Sequence, residues 1–340
     1  MPDETILVTG ATGRIGRFVV ADLLERGYRV RATTSRAPPP VVDNQKLEWR
    51  QVDLAGEEDL HWLVEGCSGV IHLAAELGKK DRMKALNEDA TERLARAADD
   101  GGVRALCYTS SIAVYGSGRS IEISESSPVL SVDRDIASEY WALDYVRHYG
   151  RTKLAGERAL TKVANRMRCV VLRPAVVVDI GQIIGVRDWG LVKRMLASHR
   201  HAHHIYVGDV SDALIWLMER GLAGSGEAGR VDIYNLAEDD RDMPKHIDFM
   251  RKAFAVSGDR RYRVVSAPWI VDWLHDFLRF RSLPIRNPLW RMRFSSDRLK
   301  AAGYRLRFGM AKAEQLALAR LAKEAKTGTQ SDFVRQDNPV

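Results

Sequence analysis

The sequence predicts an α/β fold, with an open, doubly wound parallel sheet and a smaller α/β C-terminal lobe for a substrate. Between residues 5 and 174, short apolar runs alternate with helical stretches, which is the pattern of βα units. Several runs are apolar throughout, as expected of strands that helices cover on both faces. A glycine-rich segment joins the first run to the first helix, as in sheets that bind a ligand at the ends of their strands.

Each element can be placed in chain order. Apolar runs predict strands at Thr5–Thr9, Tyr28–Thr33, Leu47–Val52, Gly69–Leu73, Val103–Thr109 and Cys169–Arg173. The stretches between them predict helices at Ile15–Arg26, Glu57–Glu65, Lys80–Ala98 and Glu139–Val163. After Pro174 the alternation loosens, and it recovers in a strand at Ile205–Val207, a helix from Asp209 and a strand at Asp232–Leu236.

This order divides the chain into two interleaved parts. Residues 1–178 with 205–237 are expected to form the sheet domain, and residues 179–204 with 238–326 the substrate lobe. The substrate would bind in the cleft between them. Residues 327–340 are polar and are expected to fray. Candidates for lining the cleft are Arg187, Trp189, Tyr206 and the segment Pro268–Phe280.

The segment Pro268–Phe280 is aromatic-rich and too short to span a bilayer. It is interpreted as a lid or core helix of the substrate lobe. The alternative is a helix that lies on a membrane surface and serves a lipophilic substrate, because Arg279 and Arg281 flank an apolar face.

The composition argues against several classes of protein. The chain has 340 residues, of which 45% are hydrophobic, and this is enough to bury a sizeable core. Cys67, Cys107 and Cys169 are widely spaced, which argues against a disulfide framework. The net charge of +7 is dispersed, so nucleic acid is not an expected partner, although the excess can attract an anionic cofactor. The N-terminal residues show no export pattern, which predicts a cytoplasmic location.

A histidine-rich stretch, His199 to His204, raises the possibility of a metal site. No carboxylate or cysteine joins these histidines until Asp209. A loop that is exposed or lines the cleft is therefore the preferred interpretation, and no metal is expected.

The segment Thr9–Gly16 has the pattern of a cradle for dinucleotide phosphates. Glycines at 10, 13 and 16 follow a strand and open a helix, so a pyrophosphate can approach the backbone amides at the helix N-terminus. Spaced glycines alone are weak support, since such a turn can bind nothing, and the strand and helix on either side give the match its weight. Cofactor contacts are expected at Gly10, Thr12, Gly13, Arg14, Ile15 and Gly16.

The end of the second strand indicates which nucleotide is preferred. NAD-specific sites place a carboxylate here to bind the adenosine ribose, whereas this chain has Ser35 and Arg36. A hydroxyl and a guanidinium can bind a 2′-phosphate, so NADP is favoured over NAD. The alternative is that Arg36 merely belongs to the loop before the prolines. Asp53 and Leu54 follow the third strand, where the adenine would lie.

Tyr149 and Lys153 are four residues apart and can share one face of a helix. A phenol is a poor acid or base at neutral pH, and an adjacent ammonium is expected to favour its phenolate form. Ser111 ends the fifth strand and can hydrogen-bond the same substrate oxygen. Because this tyrosine–lysine spacing often occurs by chance, its weight comes from the glycines and the serine that precede it.

These motifs together resemble the extended short-chain dehydrogenase/reductase family, which includes nucleotide-sugar epimerases and dehydratases and 3β-hydroxysteroid dehydrogenase-like enzymes. The matching segments cover about the first two-thirds of the chain. They are Thr9–Gly16, Asp53-Leu54, His72–Ala75, Asn87 with Thr91, Ser110–Gly116, Tyr149–Lys153 with Glu157, Arg173-Pro174, Val207–Val210 and Tyr234-Asn235.

The resemblance implies a Rossmann domain with a bound nicotinamide. It implies that Tyr149 is the general acid–base, that Lys153 contacts the nicotinamide ribose, that Ser111 polarises the carbonyl, and that Asn87 supports the helix near the site. It further implies cofactor contacts at Leu73, Ala74, Ala75, Thr109, Tyr149, Lys153, Pro174 and Val176. A homodimer through the helices at Lys80–Ala98 and Glu139–Val163 is also implied.

Departures from the family pattern bear on the substrate. Nucleotide-sugar epimerases typically carry an asparagine, a glycine and an arginine where this chain has Val176, Asp179 and Ala202. Loss of a phosphate-binding cation favours reduction of a small ketone, with a lipophilic ketone among the candidates, or oxidation of the alcohol. The alternatives are epimerisation or dehydration of an activated sugar, and a dinucleotide sensor without catalysis.

Overall fold

The computed structural model describes residues 4–39, 44–116, 120–136, 144–198, 203–238, 245–264, 268, 270–271, 274 and 292–327. His199, His201, Ala202, most of Pro268–Phe280 and residues 328–340 lie outside the described residues.

The strands form one large sheet and two small ones. In chain order they are β1 Thr5–Thr9, β2 Arg29–Thr34, β3 Leu47–Gln51, β4 Gly69–His72, β5 Ala105–Thr109, β6 Glu122–Ile123, β7 Arg168–Pro174, β8 Val176–Val178, β9 His204–Tyr206, β10 Val231–Leu236 and β11 Arg293–Phe294. Seven parallel strands make the large sheet in the order β10-β7-β5-β4-β1-β2-β3. The strand order reverses between β1 and β4, and ligands bind at such a point in open α/β sheets.

The α-helices are α1 Arg14–Glu25, α2 His61–Val64, α3 Lys80–Lys84, α4 Ala90–Asp100, α5 Asp144–Val163, α6 Ile180–Ile184, α7 Leu191–Ala197, α8 Val207–Leu222, α9 His246–Ser257, α10 Asp297–Ala301 and α11 Gly309–Thr327.

Alternate residues of β1 explain how these helices cover both faces of the sheet. Ile6 and Val8 pack in a core with α1 and α8, whereas Leu7 packs in a second core with α4 and α5. The predicted doubly wound α/β fold is thereby confirmed.

The predicted strands up to residue 174 are all present, and their bounds differ by a residue or two. The helix predicted at Glu57–Glu65 is limited to α2, and the Asp59 carboxylate accepts the amide of its first residue, His61, at 3.2 Å. The helix predicted at Lys80–Ala98 is interrupted by a π-helical turn, Ala85–Asp89. Residues 139–143 of the predicted helix Glu139–Val163 lie outside the described residues.

The segment Ile205–Val207 does not rejoin the large sheet as predicted. It overlaps β9, which pairs with β8, the direct continuation of β7 beyond Ala175. The chain returns to the large sheet through α8 and β10 instead. The small sheet of β8 and β9 packs with α6, α9 and α11 around a third core that includes Ile183, Tyr206 and Met250.

Candidate active site

The loop between β1 and α1 requires glycine at two positions. Gly10 has a φ of 65°, and a Cβ there would lie 2.8 Å from the amide nitrogen of Ala74. A Cβ on Gly16 would lie 2.2 Å from the carbonyl oxygen of Gly10. Gly13 begins α1 without a capping side chain. The first N–H groups of α1 are thus uncovered by a cap, which fits the phosphates of a dinucleotide.

The other predicted contacts in this loop differ in placement. Thr12 is exposed, whereas Ile15 packs against the cores on either side of it. Arg14 extends to β8, where its Nη1 donates to the carbonyl oxygen of Val177 at 3.1 Å. Burial lowers the pKa of Arg14, and the charge of Asp179 opposes this effect.

Thr9 joins the ends of the two strands at the point of reversal. Its Oγ1 accepts hydrogen bonds from the amides of Leu73, at 3.1 Å, and Ala74, at 3.2 Å. The same oxygen lies 2.6 Å from His72 Nδ1. The loop after β4 is therefore fixed beside the glycine loop, and Ala75 follows it half-buried.

His72 is fixed as a neutral imidazole. Its Nε2 lies 3.0 Å from Thr91 Oγ1, and the Thr91 hydroxyl donates to the carbonyl oxygen of Asn87 at 2.9 Å. Thr91 must therefore accept from Nε2–H, and Thr9 must donate to Nδ1. Burial and, to a smaller extent, the charge of Lys153 lower the pKa of His72 to about 3.

Tyr149 and Lys153 lie one turn apart on α5. Lys153 is fully buried, and its Nζ has no hydrogen-bond partner among the described residues. Burial lowers the pKa of Lys153 to about 7, although the Glu157 charge opposes this, and burial raises the pKa of Tyr149 to about 12. The lowered tyrosine pKa expected from the sequence is therefore not observed, because loss of solvation dominates for both groups.

Two glycines let α5 approach the strand ends closely enough to place this pair. A Cβ on Gly150 would lie 2.5 Å from the carbonyl oxygen of Ala113. A Cβ on Gly156 would lie 2.5 Å from both the Asn87 carbonyl oxygen and the Tyr108 hydroxyl. These glycines flank Lys153, so on either side of the lysine the helix lies close to Ala113, Asn87 and Tyr108.

The two serines after β5 have different surroundings. The buried Ser110 hydroxyl donates to Glu157 Oε1 at 2.5 Å. Ser111 is half-buried, and its Oγ accepts the amide of Ala113 at 3.1 Å. No acceptor among the described residues takes the Ser111 hydroxyl proton, so this serine can donate to a substrate oxygen.

Asn87 lies in the π-helical turn and connects two parts of the site. Its Oδ1 accepts the amide of Glu76 at 2.8 Å, and its Nδ2 donates to the Glu76 carbonyl oxygen at 2.9 Å. The same Nδ2 donates to Thr152 Oγ1 at 3.0 Å. Asn87 thus links the loop after β4 to α5, next to Lys153.

The predicted adenosine end is partly open. Ser35 and Arg36 are exposed at the end of β2. The Asp53 carboxylate is bound by Arg82 Nη2, at 2.9 Å from each oxygen, and this contact lowers the pKa of Asp53. Leu54 is buried. The partnership of Asp53 with Arg82 could not be foreseen, because the two residues are distant in sequence.

The remaining predicted cofactor contacts lie at the ends of β5 and β7. Thr109 Oγ1, at the end of β5, is buried without a hydrogen-bond partner among the described residues. Pro174 is buried, whereas Val176 is 47% exposed and offers an apolar contact. Asp179 caps α6 reciprocally with Gln182, which explains a carboxylate where relatives of the epimerase type carry glycine.

The three candidates for lining the cleft also differ. Tyr206 is buried between the rings of Phe18 and Phe308 and belongs to the core. Arg187 is paired with Glu324. Trp189 is half-buried and contacts the ring of His246.

The described residues contain one cluster of metal-ligand type, and it lies outside the histidine-rich stretch. It comprises Asp135, Asp144 and His148, and both carboxylates are ion-paired, chiefly with Arg147 and Lys80. No helix within the described ranges is long and apolar enough to cross a membrane.

A sequence model described as the NAD dependent epimerase/dehydratase family matches residues 6–237. The chain belongs to this family. The resemblance to extended short-chain dehydrogenases/reductases is thereby confirmed, as is membership of a family of NAD-dependent enzymes.

Curated members of the family similar to this chain include reductases. A putative dihydroflavonol 4-reductase from Synechocystis sp. is 36% identical over 148 residues, which are 41% of this chain and 43% of that protein. Cinnamoyl-CoA reductase 2 from Medicago truncatula is 30% identical over 194 residues, 52% of this chain and 54% of that protein. The chain thus spans about half, or less, of the length of these relatives.

Solved structures share the fold of this chain over almost its whole length. A short-chain dehydrogenase/reductase superfamily protein from Agrobacterium tumefaciens with bound NAD has a TM-score of 0.69 and 22% identity, covering 95% of this chain and 100% of that one. MoeE5 in complex with UDP-glucuronic acid and NAD has a TM-score of 0.66 and 22% identity, with 96% and 100% coverage. At these identities the likeness establishes the fold.

Proposed function

We propose that the protein is an NADP-preferring oxidoreductase that interconverts a ketone and an alcohol of a small molecule, with Tyr149 as the general acid–base. One observation carries the proposal. The tyrosine and lysine share a face of α5, and the lysine ammonium is buried without a hydrogen-bond partner among the described residues. A buried polar group of this kind is costly unless a ligand or a reaction uses it.

The residues of the glycine loop and the end of β4 fit a dinucleotide. Gly10, Gly13 and Gly16 would receive its phosphates, and Lys153 would bond the hydroxyls of its nicotinamide ribose. When bound, the nicotinamide supplies the hydride that is exchanged with the carbonyl carbon. The protein supplies orientation and the proton.

Tyr149 is suited to donate that proton. Burial raises its pKa to about 12, so the phenol is protonated at neutral pH. In the direction of reduction it would give its proton to the developing alkoxide, while Ser111 donates a second hydrogen bond to the same oxygen. The protonated phenol is the form that donates to the ketone oxygen, and the phenolate is the form that would accept the proton in the reverse reaction.

Exposed Ser35 and Arg36 support the preference for NADP. A guanidinium stabilises a 2′-phosphate through charge-assisted hydrogen bonds, and it has no comparable partner in NAD. Arg36→Ala should therefore weaken NADPH binding about tenfold or more and leave NADH binding nearly unchanged. A tenfold loss corresponds to about 1.4 kcal/mol of binding free energy. Calorimetric titration with each nucleotide tests this.

The apolar and exposed Val176, in place of an epimerase-type asparagine, supports a small lipophilic carbonyl substrate rather than a sugar nucleotide. Relatives named as dihydroflavonol and cinnamoyl-CoA reductases support the same class. The homodimer through α4 and α5 is proposed on the family resemblance, and its test is the mass in solution by light scattering. The cytoplasmic location stays a prediction.

The test of the function is NADPH consumption with a panel of aryl and alkyl ketones by wild type, Tyr149→Phe and Tyr145→Phe. Tyr145 is an exposed tyrosine on the same helix and is the matched control. Tyr149→Phe should reduce kcat about 10²-fold or more, with NADPH affinity retained. Turnover of a sugar nucleotide on retained NAD, without net NADPH consumption, would instead establish an epimerase or dehydratase. Binding of NADPH with no turnover of any substrate would point to a sensor.

A further inference from the structure

Tyr108 in β5 lies beneath the catalytic lysine. The tyrosine is fully buried, and its ring centroid is 4.0 Å from Lys153 Nζ. Its hydroxyl makes long contacts, at 3.3 Å to the Asn87 carbonyl oxygen and 3.4 Å to the Lys153 carbonyl oxygen. The ring face, rather than the hydroxyl, is therefore the part of Tyr108 that meets the ammonium.

Among the described residues, no carboxylate forms an ion pair or hydrogen bond with Lys153 Nζ. Glu157 is one turn further along α5, but its two oxygens already accept hydrogen bonds from Ser110 and from Arg173. Among the described residues, the Tyr108 ring is the partner that contacts the Lys153 nitrogen. An aromatic face attracts a cation, and it does so more strongly where water is excluded.

We propose that Tyr108 is a positioning residue of the active site, whose ring face seats the Lys153 ammonium and favours its charged form. This inference rests on the proposed function, because it assigns the lysine its role beside Tyr149. A seated ammonium is presented to the ribose hydroxyls without a rearrangement of the side chain. A lysine held by a carboxylate would have to break an ion pair first.

His72 holds the ring in place without adding charge. The imidazole and the Tyr108 ring stack at 24° with centroids 5.5 Å apart. Hydrogen bonds from Thr9 and to Thr91 fix the neutral tautomer. A protonated imidazole at this position would repel the ammonium, so the two threonines protect the seat electrostatically.

Thr9 also connects the Tyr108 ring, on which Lys153 is seated, to the glycine loop. Thr9 Oγ1 holds the amides of Leu73 and Ala74, which are predicted cofactor contacts. Displacement of the Tyr108 ring would disturb His72 and, through Thr9, the loop that borders the phosphate cradle. The groups that interact with the Lys153 charge are Glu157 on its own helix, Tyr108 on β5 and His72 on β4.

The alternative is that Tyr108 only fills the core. Leu106 and Tyr108 point to the same side of β5 and pack in the same core with α4 and α5. Loss of volume would then explain any effect of a mutation. A test must therefore change the electrostatics of the ring at nearly constant volume.

Phenylalanines carrying zero, one, two or three ring fluorines, incorporated at position 108, provide this series. Fluorine withdraws electron density from the ring face and weakens its attraction for a cation. The pKa of Lys153 is measured by NMR of ¹³C-labelled lysine, with Lys153→Met for assignment. The expected result is a pKa near wild type in Tyr108→Phe and a stepwise fall across the series that totals about one unit. A pKa that does not change with fluorine number overturns the proposal.

Tyr108→Leu removes the ring and also some volume, so it supplements the fluorinated series and does not replace it, with Tyr108→Phe as its control. NADPH affinity, measured by calorimetry, should weaken about tenfold in the leucine variant and much less in the phenylalanine variant. A tenfold loss of affinity corresponds to about 1.4 kcal/mol of binding free energy. Equal weakening in both variants would contradict the seat. If wild type binds no NADPH, the proposed function fails, whereas the pKa series still decides whether the ring seats the lysine.

Discussion

Two buried cations on either side of Glu157 have opposite surroundings. Arg173 is 2% exposed, and its guanidinium donates to both oxygens of Glu157 and to the Tyr115 hydroxyl at 2.8 Å. Lys153 is 0% exposed, and its Nζ has no hydrogen-bond partner in the described part of the chain. The pKa of Arg173 is accordingly raised, chiefly by Glu157 against the effect of burial, and that of Lys153 is lowered.

The difference separates a structural charge from a functional one. The arginine joins β7 to α5 and, through Tyr115 and Asn235, to β10. Each of its three guanidinium nitrogens already has a hydrogen-bond partner. The lysine keeps its donors at the cost of burying a charge without an acceptor, and this is the state expected of a group that a cofactor completes.

Removing the structural charge should have the largest effect. Arg173→Met would leave the Glu157 carboxylate buried without its cation and should lower the free energy of unfolding by about 3–5 kcal/mol. Urea unfolding followed by circular dichroism measures this.

The double variant Arg173→Met with Glu157→Gln sharpens the result. It removes both charges, so it should recover a large part of the lost stability. If it were less stable than Arg173→Met alone, Glu157 would have to be stabilised by groups other than the arginine.

Ser110 and Ser111, which follow β5, test the same distinction between a structural and a functional group. Ser110 belongs to the Arg173 network, and Ser111 lies on the side of Tyr149 in the proposed mechanism. Ser111→Ala should reduce kcat by about 10²–10³-fold with little loss of stability, since a donor to the developing oxyanion is lost. Ser110→Ala should instead lower the free energy of unfolding by about 1.5–3 kcal/mol, because a hydrogen bond to a buried carboxylate is lost. Steady-state kinetics and urea unfolding of both variants give the comparison, and the reverse pattern would assign the catalytic role to Ser110.

Removing the functional charge should stabilise the protein. Lys153 has a pKa of about 7 when folded, against the usual 10.5, so below pH 7 both states carry the proton and the full cost of burying the charge applies. Between about pH 7 and 10.5 the unfolded state binds the extra proton, so the cost declines as pH rises and is absent above that range. Lys153→Met should therefore raise the free energy of unfolding by about 1–3 kcal/mol at pH 6, and the gain should shrink towards pH 10.

Unfolding curves at pH 6, 8 and 10 for wild type and Lys153→Met test this, with Lys162→Met, an exposed lysine on the same helix, as control. A gain that is independent of pH would mean that the methionine improves packing and that the charge of Lys153 carries no cost.

The sequence predicted this site unevenly, for physical reasons. The glycine loop and the tyrosine–lysine pair follow local rules of turn geometry and helix spacing, so their placement could be foreseen. The contact of Tyr108 with Lys153 joins a strand to a helix across 45 positions, and a tyrosine in an apolar strand has the pattern of an ordinary core residue. The alternation of Leu106 and Tyr108 was the available signal that this ring faces α5. The run Ile205–Val207 was expected in the sheet domain, but β9 pairs with β8 instead, because an apolar run of three residues does not specify its partner strand.

The smallest predicted effect concerns a third, half-exposed cation, Arg82, whose ion pair with Asp53 lies at the predicted adenosine end. An exposed pair contributes little stability, so Arg82→Ala should change the free energy of unfolding by less than about 1 kcal/mol. Both nucleotides share the adenine, so if Arg82 only orients Asp53, the variant should change NADPH and NADH affinity equally and by less than about threefold. Arg36→Ala, the matched variant, should affect NADPH alone. A selective loss of NADPH binding in Arg82→Ala, measured by calorimetry, would show that Arg82 leaves Asp53 to bind the 2′-phosphate. Arg82 would then be a functional cation like Lys153, although it is ion-paired in the structure.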